Sequence, residues 1–314
     1  MDWSHFGMTR RPFRPAVDTP AYYPAAGHET ALAALAAAFA RRDPVALLDG
    51  PAGVGKSLVA RRWLEQLPAE VPRVVVPNVH ATRPADLLQA VLFDLNQPYQ
   101  GLTEQELRLA VTAHLLAAPG GSPTVLLVDE AQHLCHAALE ELRLLGNVET
   151  ADGAVLFVAL VGHPSLREAL ARPAYAAVAQ RVAVRCRVEA FAGDEPAAYL
   201  RHQVKAAGGH PGKVFDDEAV EVIAGACGGV ARVLNRAAVL ALELAAESGA
   251  GRVDVEAALE SLSRLGLDPP DEEPADPRVL AHPARATGKA EAGNAVESPA
   301  ARGPKPRAGR KRSA

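Results

Sequence analysis

The chain has 314 residues, with 33 lysines and arginines against 37 aspartates and glutamates, and a formal net charge of −4. Hydrophobic residues make up 49% of it and charged residues 22%, which is ordinary for a globular protein and excludes wholesale disorder and fibrous repeats. The three cysteines are widely spaced and form no C-x-x-C pair, which argues against a disulfide scaffold or a zinc ribbon and favours a reducing compartment.

The spacing of apolar residues predicts strands that alternate with helices over most of the first 190 residues. Before the first helix, an irregular segment carries Phe6, Phe13, Tyr22 and Tyr23 as expected anchors onto a domain surface. The elements predicted next are a helix over 29–41, a strand over 45–49, a helix over 56–67, a strand over 73–77, helices near 84–95 and 103–117, a strand over 124–129, a helix over 134–145, and strands over 155–161 and 182–188. Short, near-continuous apolar strands joined by helices are typical of a parallel α/β sheet that is covered on both faces.

The pattern changes after residue 190, where only helices are predicted. They cover 194–207, 216–226, 230–248 and 254–264, and indicate a small helical domain. We therefore divide the chain into an irregular N-terminal segment (1–28), an α/β core (29–190), a helical lid (191–266) and a disordered charged tail (267–314).

The tail is predicted to be disordered because it is rich in Pro, Gly, Ala and charge and has few large apolar residues. Its end, residues 302–314, carries six lysines and arginines and no acid. Such a segment either contacts nucleic acid or another anionic surface, or is a solvated tail that aids solubility. Composition alone leaves both interpretations open.

Residues 50–57 read GPAGVGKS, which satisfies the phosphate-loop pattern G-x-x-x-x-G-K-[ST] between a predicted strand and a predicted helix. Glycines let backbone N–H groups turn inward around an anion, and the helix that follows directs its positive end at the phosphates. Lys56 is predicted to reach the β- and γ-phosphates of ATP, and the Ser57 hydroxyl to ligate Mg²⁺. The predicted nucleotide-binding residues of this segment are Gly50, Pro51, Ala52, Gly53, Val54, Gly55, Lys56, Ser57 and Leu58.

Residues 125–130 read VLLVDE, so a buried strand delivers two carboxylates to its C-terminal end. Ligands bind at that edge in open α/β sheets. Asp129 is predicted to hold Mg²⁺ together with Ser57, through water, and Glu130 to act as the base that activates a water for attack on the γ-phosphate. The occurrence of both motifs in one chain is stronger evidence than either alone.

Six segments together resemble the AAA+ ATPases of the ExeA/GspA type, which are associated with general secretion and are relatives of TniB/TnsC-like transposition ATPases. They are GPAGVGKS, VLLVDEAQHL, LEELRLLGNVET, LVGHPSLREAL, QRVAVRCRVEAF and GGVARVLNRAAVLAL. The resemblance covers roughly residues 5–265, and DEAQHL followed by ELRLLGNVET is its most specific part. It implies a P-loop NTPase fold with a RecA-like parallel sheet, a helical lid and ATP-dependent assembly into a homo-oligomer.

The resemblance also implies roles for three residues outside the two motifs. His163 matches the sensor 1 position, where family members often have Gln or Asn. Arg181 matches the arginine finger that enters a neighbouring subunit's site, although Arg185 and Arg187 are close enough to leave the choice among the three open. Arg232 matches the sensor 2 position on the lid, and the His28–Glu29 region weakly matches a segment that packs near adenine.

Two functions remain in competition at this stage. One is a Mg²⁺-dependent ATPase whose hydrolysis drives a conformational or assembly cycle with an unknown protein partner. The other is an ATP-gated regulator, DNA-binding or of the transposition type, that uses ATP mainly as a switch. The sequence has no apolar run of the ~18–20 residues that span a bilayer and no signal-peptide pattern, so we expect a cytoplasmic protein.

Overall fold

The computed structural model describes residues 2–77, 81–118, 121–151 and 153–267. These residues belong to one compact unit that spans residues 1–269. The tail after Leu267 lies outside the described residues, and its predicted disorder and the role of its basic end stay predictions. The predicted division between core and lid at residues 190 and 191 is likewise a prediction.

The main sheet has five parallel strands. The described strands are β1 (Val45–Asp49), β2 (Arg73–Val76), β3 (Thr124–Val128), β4 (Glu149–Thr150), β5 (Gly153–Ala154), β6 (Leu156–Gly162) and β7 (Val182–Arg187). The sheet order is β2-β3-β6-β1-β7, while β4 and β5 form a separate hairpin. Helical crossovers join the five strands, which is the connection that parallel pairing requires. This arrangement confirms the predicted α/β P-loop fold.

Helices cover both faces of the sheet and form the lid. They are α1 (Ala26–Ala40), α2 (Lys56–Gln66), α3 (Pro84–Asp94), α4 (Glu104–Ala117), α5 (His136–Leu145), α6 (Pro164–Leu170), α7 (Ala176–Ala179), α8 (Glu195–Ala206), α9 (Pro211–Val214), α10 (Asp217–Ala226), α11 (Ala231–Glu247) and α12 (Val255–Arg264). On one face α1 and α2 pack against Leu48, Leu127 and Phe157. Alternate residues of the same strands, among them Leu47 and Leu126, face α3 to α7 on the other side.

The N-terminal segment packs on the lid. Phe6 and Phe13 are buried in the same apolar cluster as α8, α10, α11 and α12. The backbone N–H of Thr9 donates to the carbonyl of Ala207, and the Gln203 amide donates to the carbonyl of Ala21. The predicted anchoring of Phe6 and Phe13 is therefore confirmed, and the surface they contact is the lid.

Several boundaries differ from the predicted ones. The first helix begins at Ala26 rather than residue 29, because Ala25, Ala26 and Gly27 give no apolar periodicity and yet allow a helical turn after Pro24. Helix α5 begins at His136 rather than residue 134, because the sulfur of Cys135 caps it by accepting from the backbone N–H of Ala138 at 3.4 Å. The β4–β5 hairpin, α6, α7 and α9 have at most seven residues each and were too short to be predicted from periodicity.

Among the described helices, none is both long enough and apolar enough to cross a membrane.

Candidate functional site

The carboxyl ends of three neighbouring strands meet at one edge of the sheet. Strand β1 ends at Asp49 and leads into the phosphate loop, β3 leads into Asp129 and Glu130, and β6 leads into His163. Because β6 lies between β1 and β3, the residues after β6 stand between the phosphate loop and the two carboxylates. A cavity of about 900 Å³ opens at this edge and extends along the lid.

Three glycines shape the phosphate loop. A Cβ on Gly50 would lie 2.2 Å from the carbonyl oxygen of Val188, so only glycine fits where the loop leaves β1. Gly53 and Gly55 have φ angles of +83° and +101°, which L side chains rarely adopt. The loop therefore has the backbone form that turns N–H groups inward around an anion.

Lys56 is the first residue of α2 and is buried, with 9% of its surface exposed. Its Nζ donates to the carbonyl oxygen of Pro51 at 2.7 Å. Burial lowers the pKa of Lys56, and the Glu130 and Asp129 carboxylates oppose that shift. A phosphate oxygen carries a full negative charge, so it is a stronger hydrogen-bond acceptor for this buried ammonium than the Pro51 carbonyl.

The carboxylates after β3 are held by local contacts. Oδ1 of Asp129 accepts the backbone N–H of Glu130 at 2.9 Å. Glu130 has a φ of +53°, which is unusual for a residue other than glycine and places its backbone in the left-handed region. Such strained residues persist only where the surrounding contacts hold them, and they cluster at functional sites.

Gln132 connects Glu130 to the end of β6, a contact that sequence reasoning missed. Its Nε2 donates to Oε2 of Glu130 at 2.5 Å, and its Oε1 accepts the backbone N–H of His163 at 2.9 Å. The residue lies inside the motif DEAQHL, but no spacing rule links it to His163, which is 31 residues away.

His163 is exposed and caps α6, where its Nδ1 accepts the backbone N–H of Ser165 at 3.4 Å. One turn further along α6, Arg167 forms a bidentate ion pair with Asp49, whose side chain is fully buried. The pairing with Asp49 raises the pKa of Arg167 further. Helix α6 thus links His163 to the strand that precedes the phosphate loop, and no sequence pattern predicts the Arg167–Asp49 pair.

The lid contacts the phosphate loop directly. The backbone N–H of Arg232, near the start of α11, donates to the carbonyl of Gly53 at 3.1 Å. A Cβ on Gly53 would meet the Cβ of Arg232 at 2.8 Å, so the two segments are in close contact. The exposed Arg232 side chain lines the cavity beside the loop.

The outer part of the cavity lies between the lid and the N-terminal segment. Burial raises the pKa of Tyr199 to about 12, so its hydroxyl stays protonated and donates to Oδ1 of Asn235 at 2.8 Å. Arg11, Phe13 and Val17 line the opposite wall. Apolar and polar side chains both line this part of the cavity, and pockets that bind small organic ligands have such mixed linings.

His28 lies beneath the phosphate loop rather than in the cavity wall. Its ring is buried, with Nε2 placed 2.9 Å from the carbonyl oxygen of Val54. A Cβ on Gly55 would lie 3.1 Å from the ring. Burial lowers the pKa of His28, so the neutral ring donates to Val54. The weak match of the His28–Glu29 region to an adenine-packing segment stays a prediction, but the contacts of His28 are with the loop.

The three arginines near β7 differ in their contacts. The Arg185 side chain donates to the carbonyl of Ala179 at 2.9 Å, and Arg187 pairs with Glu189 at 2.9 Å. Within the described residues, the guanidinium of Arg181 has no ion pair and no hydrogen bond.

Most of the predicted site residues come together around the cavity. Those that line it are Ala52, Gly53, Gly55, Lys56, Ser57, Leu58, Glu130, His163 and Arg232. Gly50, Pro51, Val54 and Asp129 lie in the loop or strand end behind that wall and do not line it. Arg181 immediately precedes β7 and does not line the cavity, and its role as an arginine finger stays a prediction.

The residues present fit Mg²⁺ bound with a nucleotide. Ser57 lines the cavity next to Lys56, and Asp129 follows β3 at the same edge. A hydroxyl and a carboxylate are hard oxygen ligands, and Mg²⁺ is usually bound by one or two such protein groups plus phosphates and water. Within the described residues there is no cluster of three or more His, Cys, Asp or Glu that could hold a metal by itself.

Comparison with known sequences identifies one domain and one relative. Residues 40–170 match the AAA domain family. Over 234 residues the chain is 34% identical to general secretion pathway protein A of Aeromonas hydrophila, an alignment that covers 73% of this chain. The chain spans 42% of the length of that relative.

Solved structures show the same fold at low identity. Cdc6p of Pyrobaculum aerophilum superposes with a TM-score of 0.65 at 18% identity, covering 84% of this chain and 71% of that one. The ORC1 protein of Aeropyrum pernix, solved in complex with DNA, gives 0.60 at 22% identity, with coverages of 81% and 68%. The RuvB branch migration motor of Thermotoga maritima gives 0.54 at 19% identity, with coverages of 77% and 69%.

Proposed function

From its match to the AAA domain family and its similarity to general secretion pathway protein A, we propose that the chain is an AAA+ protein that binds and hydrolyses Mg²⁺-ATP. The observation that carries the proposal is the convergence of Lys56, Ser57 and Glu130 on one cavity, with Asp129 directly behind it. A lysine, a hydroxyl and two carboxylates around a glycine-rich loop are the parts that ATP hydrolysis needs.

In this proposal the phosphate loop binds the triphosphate. The N–H groups of residues 50–57 and the start of α2 surround the phosphates, and Nζ of Lys56 exchanges the Pro51 carbonyl for phosphate oxygens. Ser57 and Asp129 would hold a Mg²⁺, which would supply neutralisation of charge on the phosphate oxygens. The Arg232 guanidinium on the lid adds a further contact to the phosphates, so that lid position depends on the nucleotide.

Glu130 is the proposed general base. Its carboxylate lines the cavity and accepts a proton from the water that attacks the γ-phosphate. His163, at the end of β6 between the loop and the carboxylates, contacts the γ-phosphate or positions that water. Hydrolysis removes the contacts of the γ-phosphate with these groups, and the lid and neighbouring subunit relax.

Phosphate release tests this proposal. Wild type is compared with Lys56→Ala, which removes the phosphate ligand, and with Glu130→Gln, which keeps the side-chain shape and removes the base. We expect turnover by wild type, no ATP binding by Lys56→Ala, and ATP binding with only slow residual turnover by Glu130→Gln. Equal phosphate release by all three proteins would defeat the proposal.

The competing function is an ATP-gated switch that hydrolyses ATP rarely. A wild type that binds ATP but releases phosphate no faster than Glu130→Gln would favour it. The presence of Glu130 and of Arg181, whose guanidinium is unpaired within the described residues, supports hydrolysis instead.

We also propose that the chain assembles into a homo-oligomer in which Arg181 completes the neighbouring subunit's site. An arginine that enters the site stabilises charge on the transferred phosphoryl group. The support for Arg181 over its neighbours is that Arg185 and Arg187 already have partners in their own chain.

Mixing variants tests the shared site. An oligomer of Arg181→Ala has Lys56 at every site but no arginine finger, and an oligomer of Lys56→Ala has the finger but no lysine. Neither variant should therefore hydrolyse ATP alone. A mixture of the two should regain part of the activity, because one kind of subunit interface is complete. Arg185→Ala is the matched control and should keep most activity. If mixing restores nothing while Arg185→Ala is inactive, the finger is Arg185.

The partner and the place of action are further proposals. The similarity to general secretion pathway protein A supports a cytoplasmic ATPase that acts on a secretion partner, and the structural likeness to DNA-associated proteins leaves a transposition-type partner as the alternative. Capture of partners by the Glu130→Gln protein in its ATP state would separate these two classes.

DNA contact through residues 302–314 is a separate candidate. The observation that favours it is the charge of this segment, six cations without an acid. Deletion of the segment should then weaken DNA binding and flatten its dependence on salt concentration. Equal binding by the truncated protein would assign the segment to solubility.

A further inference from the structure

The side chain of Gln132 forms a bridge between two strands at the candidate catalytic edge. It lies in the 3₁₀ turn Ala131–His133 that follows β3. One end of its amide contacts the Glu130 carboxylate at 2.5 Å, and the other end contacts the backbone of His163, after β6, at 2.9 Å. All three residues line the same cavity.

The orientation of this amide follows from its partners. The backbone N–H of His163 can only donate, so the amide atom that faces it is the oxygen Oε1. The NH₂ group then points at Oε2 of Glu130, where it makes a charge-assisted hydrogen bond. Exchanging the two ends of the amide would leave a donor against a donor and an acceptor against a carboxylate.

The space around the bridge is restricted. A Cβ on Gly162 would lie 2.8 Å from Oε1 of Gln132 and 3.2 Å from Cδ2 of Leu166. The glycine at the end of β6 thus leaves room for the Gln132 amide and little else. Its φ angle is not in the left-handed region, so the close approach, rather than backbone strain, favours glycine there.

The unusual backbone conformation of Glu130 requires contacts that hold the residue in place. Its φ of +53° lies in a region that residues other than glycine rarely adopt, and such a conformation persists only where the surrounding contacts hold it. Locally, the backbone N–H of Glu130 is fixed by Oδ1 of Asp129, but its carboxylate is fixed by Gln132. Without the amide, the glutamate side chain is free to rotate among its staggered conformers.

We propose that Gln132 is the positioning residue of the hydrolytic site: it holds the Glu130 carboxylate at a fixed distance from the residue that follows β6. In this proposal it acts through Glu130 rather than on the nucleotide itself. Because His163 sits at the other end of the bridge and α6 continues to the Arg167–Asp49 pair, the base is aligned with both the sensor position and the strand before the phosphate loop. This inference rests on the proposed ATPase function.

Two substitutions separate the parts of the bridge. Gln132→Ala removes both contacts. Gln132→Glu has the same shape and keeps an acceptor for the His163 N–H, but places a carboxylate against that of Glu130. Gln105→Ala is the matched control, because the exposed Gln105 side chain, as far as the described residues go, hydrogen-bonds Arg108 on the surface of α4 and nothing else.

For each full-length variant we would measure four quantities: kcat, the KM for ATP, the Kd of ATP and the melting temperature. A misplacement of about 1 Å in a catalytic group reduces turnover about a hundredfold. We therefore expect a fall in kcat of about tenfold to a hundredfold in Gln132→Ala, at least as large a fall in Gln132→Glu, and unchanged KM and Kd. Gln105→Ala should match wild type. Wild-type kcat in Gln132→Glu, or a raised Kd with kcat preserved, would overturn the proposal.

A second comparison distinguishes the loss of Glu130 positioning from a general loss of structure in Gln132→Ala. In the Glu130→Gln background, the slow residual single-turnover hydrolysis that remains without the base should change by less than twofold when Gln132→Ala is added, because the group that Gln132 positions is already gone. The same tenfold or larger fall in that background would assign Gln132 a structural role and overturn the proposal. The comparison of wild type with Glu130→Gln is read first, so failure of the ATPase function is distinguished from failure of the Gln132 inference.

Discussion

At the scale of single residues, Gly50 is the position where the fold leaves the least room. A Cβ there would lie 2.2 Å from the backbone oxygen of Val188, which cannot rotate away. We expect Gly50→Ala to lower the free energy of unfolding by about 3 kcal/mol or more, as overpacking against backbone does, and to weaken ATP binding. Urea unfolding measures the first effect and calorimetry the second.

Gly27→Ala is the control for this substitution. Gly27 lies in α1, its φ is not positive, and a Cβ there would meet nothing within 4 Å. Alanine in a helix is favoured over glycine by about 0.5–1 kcal/mol, so this variant should be as stable as wild type or more so. A Gly50→Ala protein with wild-type stability would show that the loop can leave β1 by another route.

His28 makes stability depend on pH. Burial lowers its pKa below the 6.5 of an exposed histidine, so the unfolded chain binds more protons than the folded one in that range. Stability therefore rises with pH through the window below 6.5 and falls as the solution is acidified. We expect the melting temperature of wild type to drop between pH 7 and pH 5 by more than that of His28→Gln, which cannot titrate. If the melting temperatures of the two proteins fall equally with pH, His28 is not the cause of the pH dependence.

The sequence predicted the residues of the two motifs, because fixed spacing within one loop or one strand end carries their geometry. It also placed Arg232 and His163 near the site through the resemblance to known ATPases. It could not predict Gln132, Arg167 or the role of His28, because each contacts a partner from 26 to 118 residues away in the chain. Only the order of the strands brings these pairs together.

At the scale of elements, an ion pair ties α6 to the end of β1, in addition to the apolar side chains that α6 buries against the sheet. Arg167 on α6 contacts Asp49 at the end of β1, and the Asp49 side chain is fully buried. Removing one partner of a buried pair costs about 3–5 kcal/mol, but Arg167 is partly exposed and solvent screens the remaining charge. We expect Arg167→Met to lower the free energy of unfolding by about 2 kcal/mol.

Arg264→Met is the matched control, because Arg264 pairs with Glu260 on the surface of α12. Exposed pairs of this spacing contribute about 0.3–0.5 kcal/mol, so the control should differ little from wild type in urea unfolding. Adding Asp49→Asn to Arg167→Met should recover part of the loss, since no buried charge is then left alone. Equal effects of Arg167→Met and Arg264→Met would mean that the Asp49 pair does not hold α6.

The long elements were predictable and the short ones were not. All five strands of the main sheet were predicted within one residue at each end, because near-continuous apolar runs bounded by polar or turn residues define them. The hairpin and the short helices α6, α7 and α9 have no room for a periodic pattern. Of these, α6 matters most for function, since it carries the contacts of both His163 and Arg167.

At the scale of the whole molecule, the N-terminal segment joins the lid to the core. Phe13 is buried among lid residues, with its ring 6.3 Å from that of Phe215, and also lines the cavity. We expect Phe13→Ala to lower the free energy of unfolding by about 3–5 kcal/mol and to weaken ATP binding. Phe93→Ala is the control, because 66% of Phe93 is exposed on α3. Equal thermal unfolding of the two variants would show that the segment does not stabilise the lid.

The predicted architecture of sheet plus lid is confirmed, and the resemblance to secretion-type AAA+ ATPases is confirmed by the relative found over most of the chain. The sequence could not predict which surface the N-terminal aromatic residues cover, because their spacing is irregular and their partners are in the lid.

Calorimetric titration of the Glu130→Gln protein with Mg²⁺-ATP, beside Lys56→Ala, tests the account most directly. The first protein keeps every proposed phosphate ligand and consumes the nucleotide too slowly to affect the titration, so we expect saturable binding of one ATP per chain. The second lacks the buried ammonium, and no binding heat is expected. Absence of heat with Glu130→Gln, or the same isotherm with Lys56→Ala, would contradict the claim that this cavity is an ATP site.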